Sequence, residues 1–340
     1  MDTITHITLG ACVGEAVLGK DIGKRALFWG VFAQNLPDID ALSAVWFSPS
    51  ENLLVHRGIT HSFLFIALIA PTLGILFKRY HPKVPLGKIV FFFAFQLLLH
   101  DFLDVCNSYG TGLLEPFSHE RFTFNLLYVF DPFFSLSLFI AFIVLLRFRA
   151  THASRPKWVL AGIIPCVLYT GIAAYNKWQI NKQIEKTLAS QTSYFTTPTP
   201  FNSLLWYTVA KKDFGYQIGY RSVFDKGATV FHYVAQRGDL LQSIQNKKQV
   251  HDLIQFSRGF YTVDNRDNLI RFNVLRFGQI MGWEYPNAEF TFHFYLTPGY
   301  DNHLVMQRGR FSGWNLAKIR YMLNRMAGVT TTPNTHYGYH

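Results

Sequence analysis

The residues best suited to chemistry in this 340-residue chain are histidines and aspartates at the ends of apolar segments. His100-Asp101-Phe102-Leu103-Asp104 sets an imidazole and a carboxylate four residues apart, on one face if the segment is helical. Both can then reach a single cation. In Leu36-Pro37-Asp38-Ile39-Asp40 the proline ends a helix and two acids follow it. Like charges this close raise each other's pKa unless a counter-charge is near, and a divalent cation supplies one. His56-Arg57-Gly58-Ile59-Thr60-His61-Ser62 places two imidazoles, a guanidinium and two hydroxyls directly before an apolar run. His6 adds an imidazole close to the start. The candidate metal ligands are therefore His6, Asp38, Asp40, His56, His61, His100 and Asp104.

Imidazole nitrogen with carboxylate oxygen is a set that zinc accepts, and manganese and iron as well. Zinc is the expected ion. Seven candidate ligands suffice for two ions, which together can clamp the attacking and leaving oxygens of a phosphoester. A divalent ion also lowers the pKa of the water it binds towards 7. Arg57 offers a bidentate fork for phosphate, and Asp101 or Asp131 is placed to take a proton. Cys12, Cys106 and Cys166 are scattered and read as small buried residues.

The elements that must position these groups are apolar and long. Phe63–Phe77, Ile89–Leu99, Phe133–Leu146 and Trp158–Tyr175 carry no charge, and with their flanks each reaches the length that spans a bilayer. Ile4–Leu18 and Arg25–Leu36 are weaker segments before them, giving about six helices. Met1-Asp2-Thr3-Ile4-Thr5-His6 lacks the basic start of a signal peptide, and Thr3 or Thr5 is expected to cap the first helix. Composition agrees: the chain is 49% hydrophobic and only 16% charged, which excludes disorder. Three cysteines exclude a disulfide scaffold. Lysines and arginines cluster in the loops holding Lys20, Lys24 and Arg25; Lys78 to Lys88; and Arg147 to Lys157. These loops are expected to be cytoplasmic. The multi-pass chain then has its N-terminus and its C-terminal domain outside, and every candidate ligand falls at the outer ends of the helices.

These motifs, in this order, are similar to a known family. Met1–Gly10 with His6, Leu36–Asp40, His56–Ser62, His100–Asp104, Asn107–Thr111 and Pro116–Arg121 resemble the membrane-bound metal-dependent hydrolases, the YdjM-like inner-membrane proteins of bacteria. Pro198-Thr199-Pro200-Phe201-Asn202 with Leu205-Trp206 looks like the start of the C-terminal region in longer members. The resemblance implies a hydrolase of the bacterial inner membrane without naming its substrate. A more distant likeness is to zinc-dependent phospholipase C and single-strand nucleases. The chain departs from these in having no evident counterpart of their metal-binding N-terminal amino group and no second H-x-x-x-D pair, which favours two ions over three.

Beyond the bundle, residues 1–178, a linker is expected over 179–200, a smaller domain over 201–328 and a tail over 329–340, where His336 and His340 are incidental. Leu204–Ala210, Gly215–Phe224, Thr229–Ala235, Leu269–Phe277 and Glu289–Leu296 alternate apolar and polar residues as strands do. Lys247–Arg258 and Asn315–Met326 read as helices. The fold class is thus an α-helical membrane bundle followed by an α+β domain with an antiparallel sheet. This half carries a net charge of +9 against +2 for residues 1–175. Its lysines and arginines are dispersed, which argues against nucleic acid and for anionic lipid headgroups; a homodimer contact is the alternative. The expected activity is hydrolysis of a phosphoester in a lipid or lipid-linked molecule. A non-catalytic divalent-cation transporter or sensor is the other reading, and it needs ligands near the bilayer midplane.

Overall fold

The computed structural model describes residues 1–266, 268–298, 302 and 314–329. Two compact units are present. One comprises Met1–Trp46, Val55–Ala173 and Pro200–Asn202; the other Phe47–Leu54, Ala174–Thr199 and the chain from Ser203 onward.

The first unit is built around α1 (Thr3–Ile22), whose N-terminal two thirds is largely buried. Asp2, rather than Thr3 or Thr5, caps it by accepting from the Thr5 amide at 3.0 Å. Helix α2 (Arg25–Asn35) lies against α1 at very close range. Gly10 and Gly14 on α1 face Ala26 and Gly30 on α2, and a Cβ on Gly30 would collide with the carbonyl oxygen of Gly10. This is the small-xxx-small packing that lets helix backbones touch in an apolar medium. A short helix, α3 (Pro49–Val55), follows in the chain, and up to Leu54 it belongs to the second unit. Next come α4 (Phe63–Tyr80), α5 (Leu86–Val105), α6 (Pro132–Arg147) and α7 (Arg155–Glu185). Helices α4, α5 and α7 are long and apolar enough to cross a membrane; α6 is a shorter apolar helix. Helix α2, with eleven residues, is too short to span alone. Leu9, Val13, Leu103, Leu127, Phe134 and Leu138 form one core and Leu18, Ile66, Phe92, Phe93 and Leu97 another.

Ser62 caps α4 by accepting from the Phe65 amide, and Asp131 caps α6 by accepting from the Phe133 amide. The start of α6 meets the start of α1, where Thr5 and Ser135 exchange a hydrogen bond of 2.8 Å. The basic residues gather at the other ends: Lys20, Lys78 with Arg79, and Arg147 lie in the last turns of α1, α4 and α6. There Arg155 grips Glu15 through two hydrogen bonds of 2.7 and 2.6 Å.

The second unit has two antiparallel sheets. In the first, β1 (Tyr194–Pro198), β2 (Leu205–Lys212), β3 (Gly215–Ser222) and β4 (Phe231–Ala235) follow one another in space. Strand β1 lies where a linker was expected, because Thr196 and Thr197 pair in register with Thr208 and Tyr207. The polar stretch Asn176–Glu185, which reads as an extension of the last apolar run, does continue α7 to Glu185. The second sheet holds β5 (Tyr261–Arg266), β6 (Leu269–Val274) and β7 (His293–Tyr295). Strand β5, with Asp, Asn and Arg in its second half, carried no clear alternation. Tyr207, Val209, Tyr216, Ile218, Leu275 and Phe290 form a core. Helices α8 (Lys247–Ser257) and α9 (Leu316–Met326) match the expected segments. His336 and His340 lie outside the described residues.

Candidate metal centre

Helix α5 delivers two groups at once. His100 and Asp104, four residues apart in its last turns, are both completely buried, with His100 Nε2 3.6 Å from Asp104 Oδ2. His61 ends a short 3-10 turn (Ile59–His61) just before α4 and brings its Nε2 to 3.0 Å from His100 Nε2 and 3.5 Å from Asp104 Oδ2. Asp38 completes the group, its Oδ1 3.6 Å from the Nε2 of both His61 and His100. One donor atom from each of Asp38, His61, His100 and Asp104 lies within 4.8 Å of the other three.

The imidazoles are held for this purpose from behind. His100 Nδ1 is 2.6 Å from the main-chain oxygen of Gln34, which can only accept, so the proton is on Nδ1 and the Nε2 lone pair faces the cluster. His61 Nδ1 is 3.2 Å from Asp40 Oδ2, which holds the second ring from behind. Pro37–Val45 is a 3-10 helix, so every third residue shares a face. Pro37, Asp40 and Ser43 form its buried face, and Asp38 stands on another. That separation gives the two acids different tasks. Asp40 accepts from His56 Nδ1 at 2.8 Å, the Arg57 amide at 2.7 Å and Thr60 Oγ1 at 2.9 Å. Both its oxygens are engaged, and His56 is turned to Asp40.

Charge in the cluster follows from these contacts. Burial pushes the Asp38 carboxyl up, but the His100 and His61 imidazoles beside it outweigh this and hold the group well below the usual carboxylate range. Burial opposes protonation of His61, yet its contacts with Asp104, Asp38 and Asp40 raise its pKa well above the ordinary value. Asp104 also meets the Met1 amino group and, at 2.9 Å, Arg57 Nε. Arg57 therefore already stands against this carboxylate, and two groups at the cluster escaped sequence reading. The Met1 amino group lies at Asp104, where no counterpart of such a group was expected. Gln34 acts through its main chain, which no side-chain motif can signal.

The remaining expected site residues are placed as follows. His6 stacks on His100 with ring centroids 4.0 Å apart, its Nε2 3.4 Å from Asp104 Oδ1. That nitrogen is buried without a well-formed hydrogen bond among the described residues, as a donor atom awaiting a cation would be. Arg57 is buried with φ +61°, donates from Nη1 to Asn107 at 2.9 Å and lies over the Tyr109 ring at 4.8 Å. Asp101 is buried, and neither carboxylate oxygen has a hydrogen-bond partner among the described residues. Asp131 stands apart from the cluster: it caps α6 and accepts from the Tyr169 hydroxyl at 2.6 Å. The four convergent donors, the fixed tautomer of His100 and the unpaired nitrogen of His6 fit a divalent ion.

Comparison with known proteins agrees with the helical half. The model of the YdjM inner membrane protein family matches residues 1–180. The chain belongs to that family. Among relatives, inner membrane protein YbcI of Escherichia coli (strain K12) is 36% identical over 121 residues, 35% of this chain and 69% of the relative. The uncharacterized protein YfhP of Bacillus subtilis (strain 168) is 30% identical over 147 residues, 40% of this chain and 44% of the relative. No solved structure matches. The family match ends at residue 180, so all four candidate ligands lie within the matched part.

Proposed function

We propose that this protein is a metal-dependent hydrolase embedded in the inner membrane, acting on a phosphoester of a lipid or lipid-linked substrate. The observation that carries the reading is the convergence of Asp38, His61, His100 and Asp104, with both imidazoles oriented from behind. Two nitrogens and two oxygens suit zinc best, with manganese or iron as alternatives. Bound there, a divalent ion supplies Lewis acidity and a water that ionises near neutral pH.

The protein's own groups supply the rest. Arg57, steadied by Asn107 and Tyr109, is the cation at the edge of the cluster for a phosphate oxygen. Asp101 has both carboxylate oxygens unbonded among the described residues and is the acid left to accept a proton. Asp131 is occupied by its helix and by Tyr169. Asp101 also borders a cavity of about 380 Å³ walled by Phe63, Phe95, Leu98, Phe102 and Phe124. Such an apolar lining suits the alkyl chain of an amphiphile. The lysine-rich helix ends at the opposite pole favour an outward-facing site, and the basic C-terminal half suits anionic headgroups.

The test is the metal content of purified full-length protein, before and after combined His100→Ala and Asp104→Ala substitution. Bound metal in the parent and its loss in the variant are expected. A chelator should abolish cleavage of a chromogenic phosphodiester and added metal should restore it. A parent without metal refutes the site, and metal without cleavage of any phosphodiester makes it a sensor or transporter.

A further inference from the structure

The 3-10 helix Pro37–Val45 has a second periodic feature that the metal centre does not use. Ile39, Leu42 and Val45 recur at intervals of three and so eclipse on one face. They are 52, 57 and 75% exposed, and Trp46 beyond them is 75% exposed. The face that holds Pro37, Asp40 and Ser43 is buried. An apolar row of this kind, ending in tryptophan, has no reason to face water. Other apolar side chains are exposed at the same pole. Phe63 at the start of α4, Phe102 near the end of α5 and Phe133 at the start of α6 are exposed as well. These three residues stand at the pole of the bundle where the metal cluster lies.

We propose that Ile39, Leu42, Val45 and Trp46 insert into the lipid leaflet on that side, so that Pro37–Val45 lies in the membrane interface. The occupant is bilayer lipid, argued from the exposed apolar ends of the apolar helices at the same pole and from the preference of tryptophan for the headgroup boundary. One short helix then does two jobs. Its inner face holds Asp40 against His61, and its outer face fixes the depth of Asp38 in the membrane. The cluster sits at headgroup level, where the phosphoester of a lipid is found. The insertion is independent of catalysis and stands or falls without the hydrolase reading.

The experiment is depth-dependent fluorescence quenching. Full-length protein is reconstituted in phosphatidylethanolamine–phosphatidylglycerol vesicles doped with lipid brominated either near the glycerol or near the chain ends. Emission of Trp46 is the difference between parent and Trp46→Phe. This emission should be largely lost with the shallow bromines, less so with the deep ones, and unaffected by aqueous iodide. A second reporter, Leu42→Trp in the Trp46→Phe background, should behave alike, with helical circular dichroism confirming that both variants fold. Quenching by iodide means the row faces water and overturns the proposal. Emission insensitive to both lipid bromine and iodide means that protein covers it, a second copy of the chain included, and overturns it equally.

Discussion

Asp40→Asn separates a ligand from a support. Asp40 places Oδ2 3.2 Å from His61 Nδ1, while its two oxygens also take bonds from His56, the Arg57 amide and Thr60. An asparagine keeps the shape but has one accepting oxygen and no charge. The imidazole then loses part of its orientation and basicity. Loss of such an orienting carboxylate costs roughly 10–100-fold in metal affinity, or about 1.4–2.8 kcal/mol. Asp104→Ala removes a donor outright and leaves Arg57 and the Met1 amino group without their anion, so it should abolish binding. The assay is competition for zinc against a chromogenic chelator with full-length protein in detergent. Equal, complete loss in both variants would make Asp40 a direct ligand and refute the division of roles. An affinity unchanged by Asp40→Asn would show that His61 is held by something else.

Two further outcomes are expected. Gly30→Ala drives a Cβ into the Gly10 carbonyl, which should cost about 1–3 kcal/mol by overpacking. Because Gln34 follows one turn later, metal retention should fall with the thermal midpoint in detergent, and no change in either would refute the close contact. His232 lies in a part-buried site that lowers its pKa from 6.5 to about 4, and its Nε2 has no partner among the described residues. The unfolded chain therefore binds a proton that the folded chain refuses. Stability is complete above about 6.5, falls as pH drops towards 4, and loses at most about 3 kcal/mol. His232→Gln should flatten the dependence of the thermal midpoint over that window, and an unaltered slope would show that other groups cause it.

Much of this protein is written along its chain. The long apolar runs mark α4 to α7, and three of these helices, α4, α5 and α7, reach the length of a span. The i,i+4 spacing of His100 and Asp104 puts both on one helix face, and alternation marks most of the strands. Other features depend on contacts between distant segments. Asp38 and Asp40 look alike in sequence; only the three-residue period of a 3-10 helix packed against the bundle turns one to the cluster and the other behind His61. Arg57 reads as a free phosphate fork, but folding sets its Nε against Asp104 and its Nη1 against Asn107. Strand β1 has a linker's composition and exists because β2 offers it a ladder. Phe47–Leu54 sits between two ligand segments in sequence, yet it belongs to the C-terminal unit, where Ser50 bonds Asp252 and Glu51 pairs with Lys248. Periodicity determines what a segment becomes locally. Which of two equivalent groups meets a partner 40 or 100 residues away is decided by packing, because a close approach such as that of Gly10 to Gly30 sets where every neighbouring side chain can reach.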